Sequence, residues 1–361
     1  MKYNSVLQIN GKEISIGAPV YFIADIASNH DGDIEKAKNL IFLAKEAGAD
    51  AVKFQHFLAD KIVSDYGFKH LGKQAGHQAS WKKSVYEVYK ECECNRDWNL
   101  ELAETAKKAN IDFMTTPYDV AAVELLDEYI PAYKIGSGDI SWTDFIEIIA
   151  KRNKPVMLAT GAADMADVER AVDAILKYNK DIVLMQCNTN YTGSLENFKY
   201  INLNVLKSYA VRYPNMVLGL SDHTPGHSTI LGAIALGARV IEKHFTSDNK
   251  LVGPDHAFSM NPFTWREMID RARELEHALG SGVKIVEENE RETVILQRRA
   301  VRVKRDLKKG DIILPEDIEC LRPAPEGAVF PYEVNKIVGK KLIYDKENGD
   351  CLKKNDFEGV F

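Results

Sequence analysis

The strongest constraint on this chain is a regular beat: a short apolar run followed by a helix-like segment, eight times over. The runs VYFIADIA (20–27), DAVKFQ (50–55), IDFMTTP (111–117), AYKIGSG (132–138), PVMLATG (155–161), DIVLMQCN (181–188), VLGLSDH (217–223) and RVIEKHFT (239–246) are rich in Val, Ile, Leu and Phe, as buried strands are. Between most of them the apolar spacing becomes helical, as in IEKAKNLIFLAKEAGA (34–49), VERAVDAILKY (168–178) and STILGAIALGA (228–238). Strand-then-helix units build parallel sheets, and eight of them close into a (β/α)8 TIM barrel. The expected fold class is therefore α/β.

The polar residues of each run gather at its carboxyl end, the face on which barrel enzymes build their sites. They are Asp25, Lys53 and Gln55, Thr116, Lys134 and Ser137, Thr160, Gln186 and Asn188, Asp222 and His223, and Lys243 and His244. His223 and His244 end neighbouring strands, so their imidazoles can converge. Two imidazoles completed by carboxylate or water suit Mn, Fe, Co or Zn, although strand-end histidines also serve as ordinary hydrogen-bonding core residues. Lys53, Lys134 and Lys243, if aimed at one mouth, repel one another unless an anion lies between them, which points to a phosphate or carboxylate ligand. Gly136-Ser137-Gly138 and Thr160-Gly161 offer a cradle for such an anion, or simply tight turns. Asp25, Asp139, Asp222 and Asp255 are the acids nearby, with Asp222 placed to orient a histidine or meet sugar hydroxyls, while Asp31 and Asp33 are expected to cap the first helix.

The loop after Gln55 is far longer than the roughly 2 to 6 residues usual for such connections, so a partly helical lid is expected there. Beyond 282 the texture changes to a charged segment at 283–298, taken as a linker, and then to short strands and turns over 299–361. That tail is near the lower size limit for folding alone, so it needs a surface to dock on. A net charge of −6 gives no general attraction to nucleic acid or an anionic membrane, leaving small molecules and proteins as the expected partners. No run approaches the roughly 20 apolar residues that span a bilayer, and the start MKYNSVLQINGKE lacks the build of a signal peptide, so the default compartment is the cytoplasm. The five cysteines, with Cys92 and Cys94 too close and too isolated for a zinc site, read as reduced thiols.

FIADIASNHDG, AVKFQ, TTPYD, PAYKIGSGD, LATG, GLSDHT, EKHFT and GPDHAFSM, in this order and spacing, resemble the sialic acid synthase family, and the tail around LRPAPEG resembles its antifreeze-like SAF domain. The resemblance covers essentially the whole chain and implies a barrel over 1–282 and an SAF domain over 299–361. It implies condensation of phosphoenolpyruvate with an N-acylated mannosamine-type sugar, dependent on a divalent metal, with Mn first and Mg or Co as alternatives. Carried over by residue, Lys53, Thr116, Lys134, Ser137, Asn188 and Ser221 would hold phosphoenolpyruvate, with Thr189 an alternative to Asn188. Gln55, Tyr191 and Asp255 would meet the sugar, joined by Arg322 from the other subunit of a domain-swapped homodimer. His223 and His244 would hold the metal, and Asp25, Asp139 and Lys53 would carry the chemistry. Asp25 and Asp139 stand where the family usually has glutamate, and Ala159 where a serine often meets the phosphate. Two other readings stay open: a sister synthase acting on a phosphorylated aldose, which needs a second basic site among Lys69, Lys73, Lys82 and Lys83, and a non-catalytic sugar-binding barrel.

Overall fold

A computed structural model describes residues 2–71, 78, 81–191, 193–359 and 361. The chain opens with a hairpin, β1 (Val6–Ile9) and β2 (Lys12–Ser15), turned by Asn10 and Gly11 at φ 46° and 78°, the positive values that a tight mirror-image turn requires. The eight apolar runs follow as β3 (Tyr21–Ala27), β4 (Ala51–His56), β5 (Asp112–Pro117), β6 (Tyr133–Ile135), β7 (Val156–Ala159), β8 (Ile182–Cys187), β9 (Val217–Asp222) and β10 (Ala238–His244). All pair in parallel and close into a barrel as β10-β3-β4-β5-β6-β7-β8-β9. This is the TIM barrel expected from the strand-helix beat. The run at 132–138 yields only a short strand, because Ser137–Asp139 winds into a 3₁₀ turn.

Period-two alternation sends neighbouring side chains to opposite faces of the wall. Tyr21, Ile23, Met114, Met157, Val183, Met185 and Val240 pack together as the barrel interior, and Leu7, Ile9 and Ile14 of the hairpin join that cluster at its amino-terminal end. The opposite parity, including Phe22, Phe54, Leu158 and Ile241, packs against the surrounding helices. The first helix, Ile34–Glu46, is capped by Asp33, whose carboxylate accepts the backbone N–H groups of Glu35 and Lys36 at 2.8 and 3.3 Å. Asp31 is not part of that cap; it pairs with Lys36 and His256.

The segment after β4 carries helices Ala59–Ile62, Asp65–His70 and Val85–Glu91 and a 3₁₀ turn at Arg96–Trp98, the partly helical insertion expected. The chain divides into two compact units, Met1–Gly280 and Ser281–Phe361. The second is β-rich, pairing β11 (Ala300–Val303) antiparallel to β12 (Ile318–Leu321) over a small core of Val301, Val303, Leu307, Val329 and Leu352. Residues 283–298 group with this unit and include the helix Arg291–Gln297. Among the described residues no helix is long and apolar enough to cross a membrane. All five cysteines are free thiols.

Candidate active site

Six strands deliver polar side chains to the inside of the barrel at its carboxyl end. Lys53 Nζ lies 2.7 Å from Asp25 Oδ2 and 3.2 Å from Thr116 Oγ1, and Gln55 Nε2 donates to the same Asp25 oxygen at 3.1 Å. Across the mouth, Lys134 Nζ lies 2.9 Å from Glu242 Oε1, which also accepts from Ser221 Oγ at 3.0 Å. Both ion pairs are buried, with side-chain exposures of 2% for Lys53 and Asp25 and 4% and 5% for Lys134 and Glu242. Burial alone would raise both carboxyls, but the ammonium groups outweigh it: Lys53 and His244 hold Asp25 below the usual range, and Lys134 and Lys53 do the same for Glu242. For Lys53 burial is likewise outweighed, by Asp25 and Glu242, and the ammonium is held above its ordinary value.

Glu242 is a site residue the sequence reading missed. It shares inward parity with Val240 and His244, and that signal was available in VIEKH. Lys243 has the other parity. Instead of joining Lys53 and Lys134 it points outward, where its Nζ meets Asp222 Oδ2 and the Thr224 carbonyl at 2.5 Å each. Asp222 is turned the same way, accepting also from Thr224 and Thr229 hydroxyls, so it does not face a sugar. Two lysines, not three, therefore face the mouth, and their own carboxylates neutralise them. Their mutual repulsion does not by itself demand a bound anion.

His223 and His244 do converge, with ring centroids 5.3 Å apart. His223 Nδ1 lies 2.8 Å from the Asn188 carbonyl, which fixes that nitrogen as the donor and leaves Nε2 with a lone pair. His244 Nδ1 is buried without a hydrogen-bond partner, and the ring lies 3.7 Å from Asp25 and 3.9 Å from Asp255 carboxylate oxygens. An orphaned imidazole nitrogen beside a second imidazole whose Nδ1 is engaged by the Asn188 carbonyl fits two ligands of a divalent ion. Among the described residues no group of three or more His, Cys, Asp or Glu is gathered to hold a metal, so water or substrate would complete the shell.

Above these groups opens a cleft of about 220 Å³. Ser28, Gln55, Ser137, Tyr191, His244 and Asp255 line one part of it. Tyr191 packs over His223 with ring centroids 4.2 Å apart, and Asp255 Oδ2 accepts from Ser28 Oγ at 2.6 Å. Ser28 was not foreseen. Nor was Cys187, whose buried thiol lies against His223 and Ser137; burial would raise it, but the imidazole holds it below the usual thiol range. Ser137 Oγ accepts the Gly161 amide at 2.9 Å, and a Cβ on Gly161 would come within 2.5 Å of Thr189 Cγ2 and 2.9 Å of Ser137 Oγ, so this approach needs glycine. Asn188 does not join that cluster. Its amide donates to the Tyr200 carbonyl at 3.3 Å, and it is the Thr189 side chain that sits beside Gly161.

Asp139 is half-buried with Oδ2 lacking a partner, and burial pushes its carboxyl up to about 6. Burial also raises the thiol of Cys92, another residue on the cleft wall, to about 12. Arg322 is exposed on the second unit. Among the lysines of the insertion, Lys69 and Lys83 pair at the surface with Asp65 and Glu91, Lys82 is exposed, and Lys73 lies outside the described residues.

The NeuB family model matches residues 40–284, and the SAF domain model matches 298–358. The chain belongs to the NeuB family. It is 35% identical to the N,N'-diacetyllegionaminic acid synthase of Legionella pneumophila, over 96% of this chain and 97% of that one. It is 30% identical to the human N-acetylneuraminate-9-phosphate synthase, over 92% of this chain and 91% of that one. Among solved structures it resembles the N-acetylneuraminic acid synthetase of Leptospira borgpetersenii in complex with citrate, with a TM-score of 0.69 at 28% identity, covering 80% of this chain and 95% of that one.

Within this NeuB barrel the first-strand aspartate still meets its lysine, since Asp25 and Lys53 occupy facing register positions on β3 and β4. Asp139 Oδ2 has no such partner.

Proposed function

We propose that this chain condenses phosphoenolpyruvate with the open-chain aldehyde of an N-acylated mannosamine-type sugar and releases inorganic phosphate. The observation that carries the reading is the pair of buried ammonium groups, Lys53 and Lys134, lying beneath a cleft whose wall includes His244. The names of the NeuB relatives, synthases of legionaminic and N-acetylneuraminic acid compounds, support it.

In the reaction C3 of phosphoenolpyruvate forms a bond to the aldehyde carbon, and the aldehyde oxygen takes up a proton to become a hydroxyl. Water adds to the cationic C2 and gives up a proton, and the C2–O bond to phosphate then breaks, leaving a 2-keto acid. Lys53 and Lys134 hold the phosphate and carboxylate charges, with Thr116, Ser137 and Ser221 donating hydroxyls; because they are fixed before the reaction, little reorganisation is needed. Asp25 and Glu242 pair with the two lysines in the buried mouth. The geometry recommends Thr189 over Asn188 for the phosphate end. Gln55, Asp255 and Tyr191 orient the sugar, and Asp139, raised toward neutrality, exchanges a proton with a reacting oxygen. His223 and His244 would hold a divalent metal such as Mn, which when bound supplies Lewis-acid polarisation of the aldehyde oxygen. Arg322 would reach the sugar from the partner of a domain-swapped homodimer.

The test is phosphate release from phosphoenolpyruvate with Mn, with and without N-acetylated amino sugars. Sugar-dependent release and a new nine-carbon keto acid are expected. Absence of release with every sugar, from folded and metal-loaded protein, would overturn the synthase reading.

A further inference from the structure

Two loops meet beside His244, one after β3 over residues 28–32 and one after β10 over residues 245–260, and they are joined at two points. At the cleft, Ser28 Oγ donates to Asp255 Oδ2 at 2.6 Å. Away from the cleft, His256 Nε2 lies 3.1 and 3.2 Å from the two carboxylate oxygens of Asp31, and His256 Nδ1 lies 2.6 Å from Thr246 Oγ1. A carboxylate only accepts, so Nε2 is the donor to Asp31. The imidazole next in sequence to Asp255 therefore ties the β3 loop to the end of β10.

Aspartate, histidine and threonine in this order repeat the arrangement of a nucleophilic triad, but His256 and Thr246 are both 0% exposed, so no substrate reaches the hydroxyl. The network fixes geometry instead. Gly253 packs directly against it: a Cβ there would come within 2.7 Å of His256 Cδ2 and 3.3 Å of Asp31 Oδ1. The Asn249 amide donates to the His256 and Ser259 carbonyls at 3.0 and 2.6 Å, and Ser259 Oγ donates to the Asp255 carbonyl at 2.6 Å. Asp31 joins from a left-handed backbone with φ 51°, a conformation that aspartate tolerates better than most residues. Asp255, held by all of these bonds, lines the cleft and lies 3.9 Å from His244 Nδ1. Asp31 and His256 lie outside the cleft lining, so they act on it through Asp255.

We infer that His256, fixed between Asp31 and Thr246, is a positioning residue that sets the Asp255 carboxylate for the acceptor, the sugar contact that the synthase reading gives to Asp255. Misplacing such a group by roughly 1 Å can cost on the order of a hundredfold in efficiency. Lys53 and Lys134, which serve the phosphoenolpyruvate end, stand on β4 and β6 and do not depend on this tie.

Asp31, with its side chain 35% exposed, is where the tie can be cut without opening the core. Asp31→Gly removes the carboxylate and accepts the positive φ, Asp31→Asn keeps an acceptor for His256 Nε2, and Lys36→Met removes the other charge paired with Asp31. The assay uses Mn and phosphoenolpyruvate with N-acetylmannosamine or a 2,4-diacetamido-2,4,6-trideoxy hexose as acceptor. Asp31→Gly should raise the sugar KM at least about tenfold while the phosphoenolpyruvate KM stays within about twofold of the wild type. Asp31→Asn should recover most of the loss, and Lys36→Met should match the wild type. An unchanged sugar KM in Asp31→Gly, a rise equal to that for phosphoenolpyruvate, or the same loss in Lys36→Met would overturn the positioning role while upholding the synthase. If the wild type releases phosphate with neither sugar, the synthase reading loses its support, and amide hydrogen exchange over residues 253–259 decides the tie separately. Faster exchange in Asp31→Gly than in Asp31→Asn supports it, and identical exchange in the two overturns it.

Discussion

Lys243 Nζ lies 2.5 Å from Asp222 Oδ2, with each side chain 1% exposed, on the outer face of the two strands that carry His244 and His223 toward the mouth. Each member of this pair is the immediate sequence neighbour of a candidate metal ligand. Lys243→Met should therefore leave a buried carboxylate unpaired and cost about 3–5 kcal/mol, whereas Asp222→Leu together with Lys243→Met should recover most of that loss. Denaturant unfolding of the single and double variants checks this. A single variant as stable as the wild type would mean that the pair does not hold the wall.

His244→Ala should abolish Mn-dependent turnover while leaving the chain folded, because the ring lies on the cleft wall at the end of its strand. Mn binding followed by electron paramagnetic resonance should weaken at least about tenfold, as it should for His223→Ala. Full activity in the His244→Ala variant would remove this residue from the metal site.

Asp139 gives a pH-dependent signature. Its carboxyl is raised by burial from 3.8 to about 6. Between those values the folded chain holds a proton that the unfolded chain releases, so the stability this group contributes is full below about pH 4 and lost as pH rises through 6. Asp139→Asn mimics the protonated form. It should match the wild type at pH 4 and exceed it at pH 7 by on the order of 1–3 kcal/mol, read from urea unfolding at both pH values. The same variant should lose turnover, the usual exchange of stability for function at a buried carboxylate.

The barrel was legible because its signals are local: eight apolar runs with polar carboxyl ends, each bounded by turns. His223 and His244 were legible for the same reason. Lys243 was assigned to the wrong side and Glu242 was passed over because residue type was weighed without strand parity, although Val240, Glu242 and His244 lie in alternation. The amino-terminal hairpin was not foreseen, although Asn10-Gly11 is a local turn signal, and its burial under the barrel depends on Leu7, Ile9 and Ile14 meeting residues from most of the strands, which no local window contains. Thr189 and Asn188 compete for one place, and only the path of the loop after β8 separates them. The cleft also draws its rings from positions as distant as Phe57 and Tyr118, which alternation within one strand cannot reveal.

Arg322 supplies the last prediction. The family resemblance assigns it to the sugar and Lys53 to the phosphoenolpyruvate end, so Arg322→Ala should raise the sugar KM far more than that of phosphoenolpyruvate. Equal effects on both would contradict contact with the sugar. If the arginine acts on the partner's barrel, a mixture of Lys53→Ala and Arg322→Ala chains, each nearly inactive alone, should regain activity. A mixed dimer then holds one barrel with its own Lys53 and the other chain's Arg322, and random pairing restores on the order of a quarter of the sites. Mixing after mild dissociation and reassembly, followed by the phosphate-release assay, reads this directly. Activity that stays at the sum of the two separate variants would confine Arg322 to its own chain's site or remove it from the site altogether.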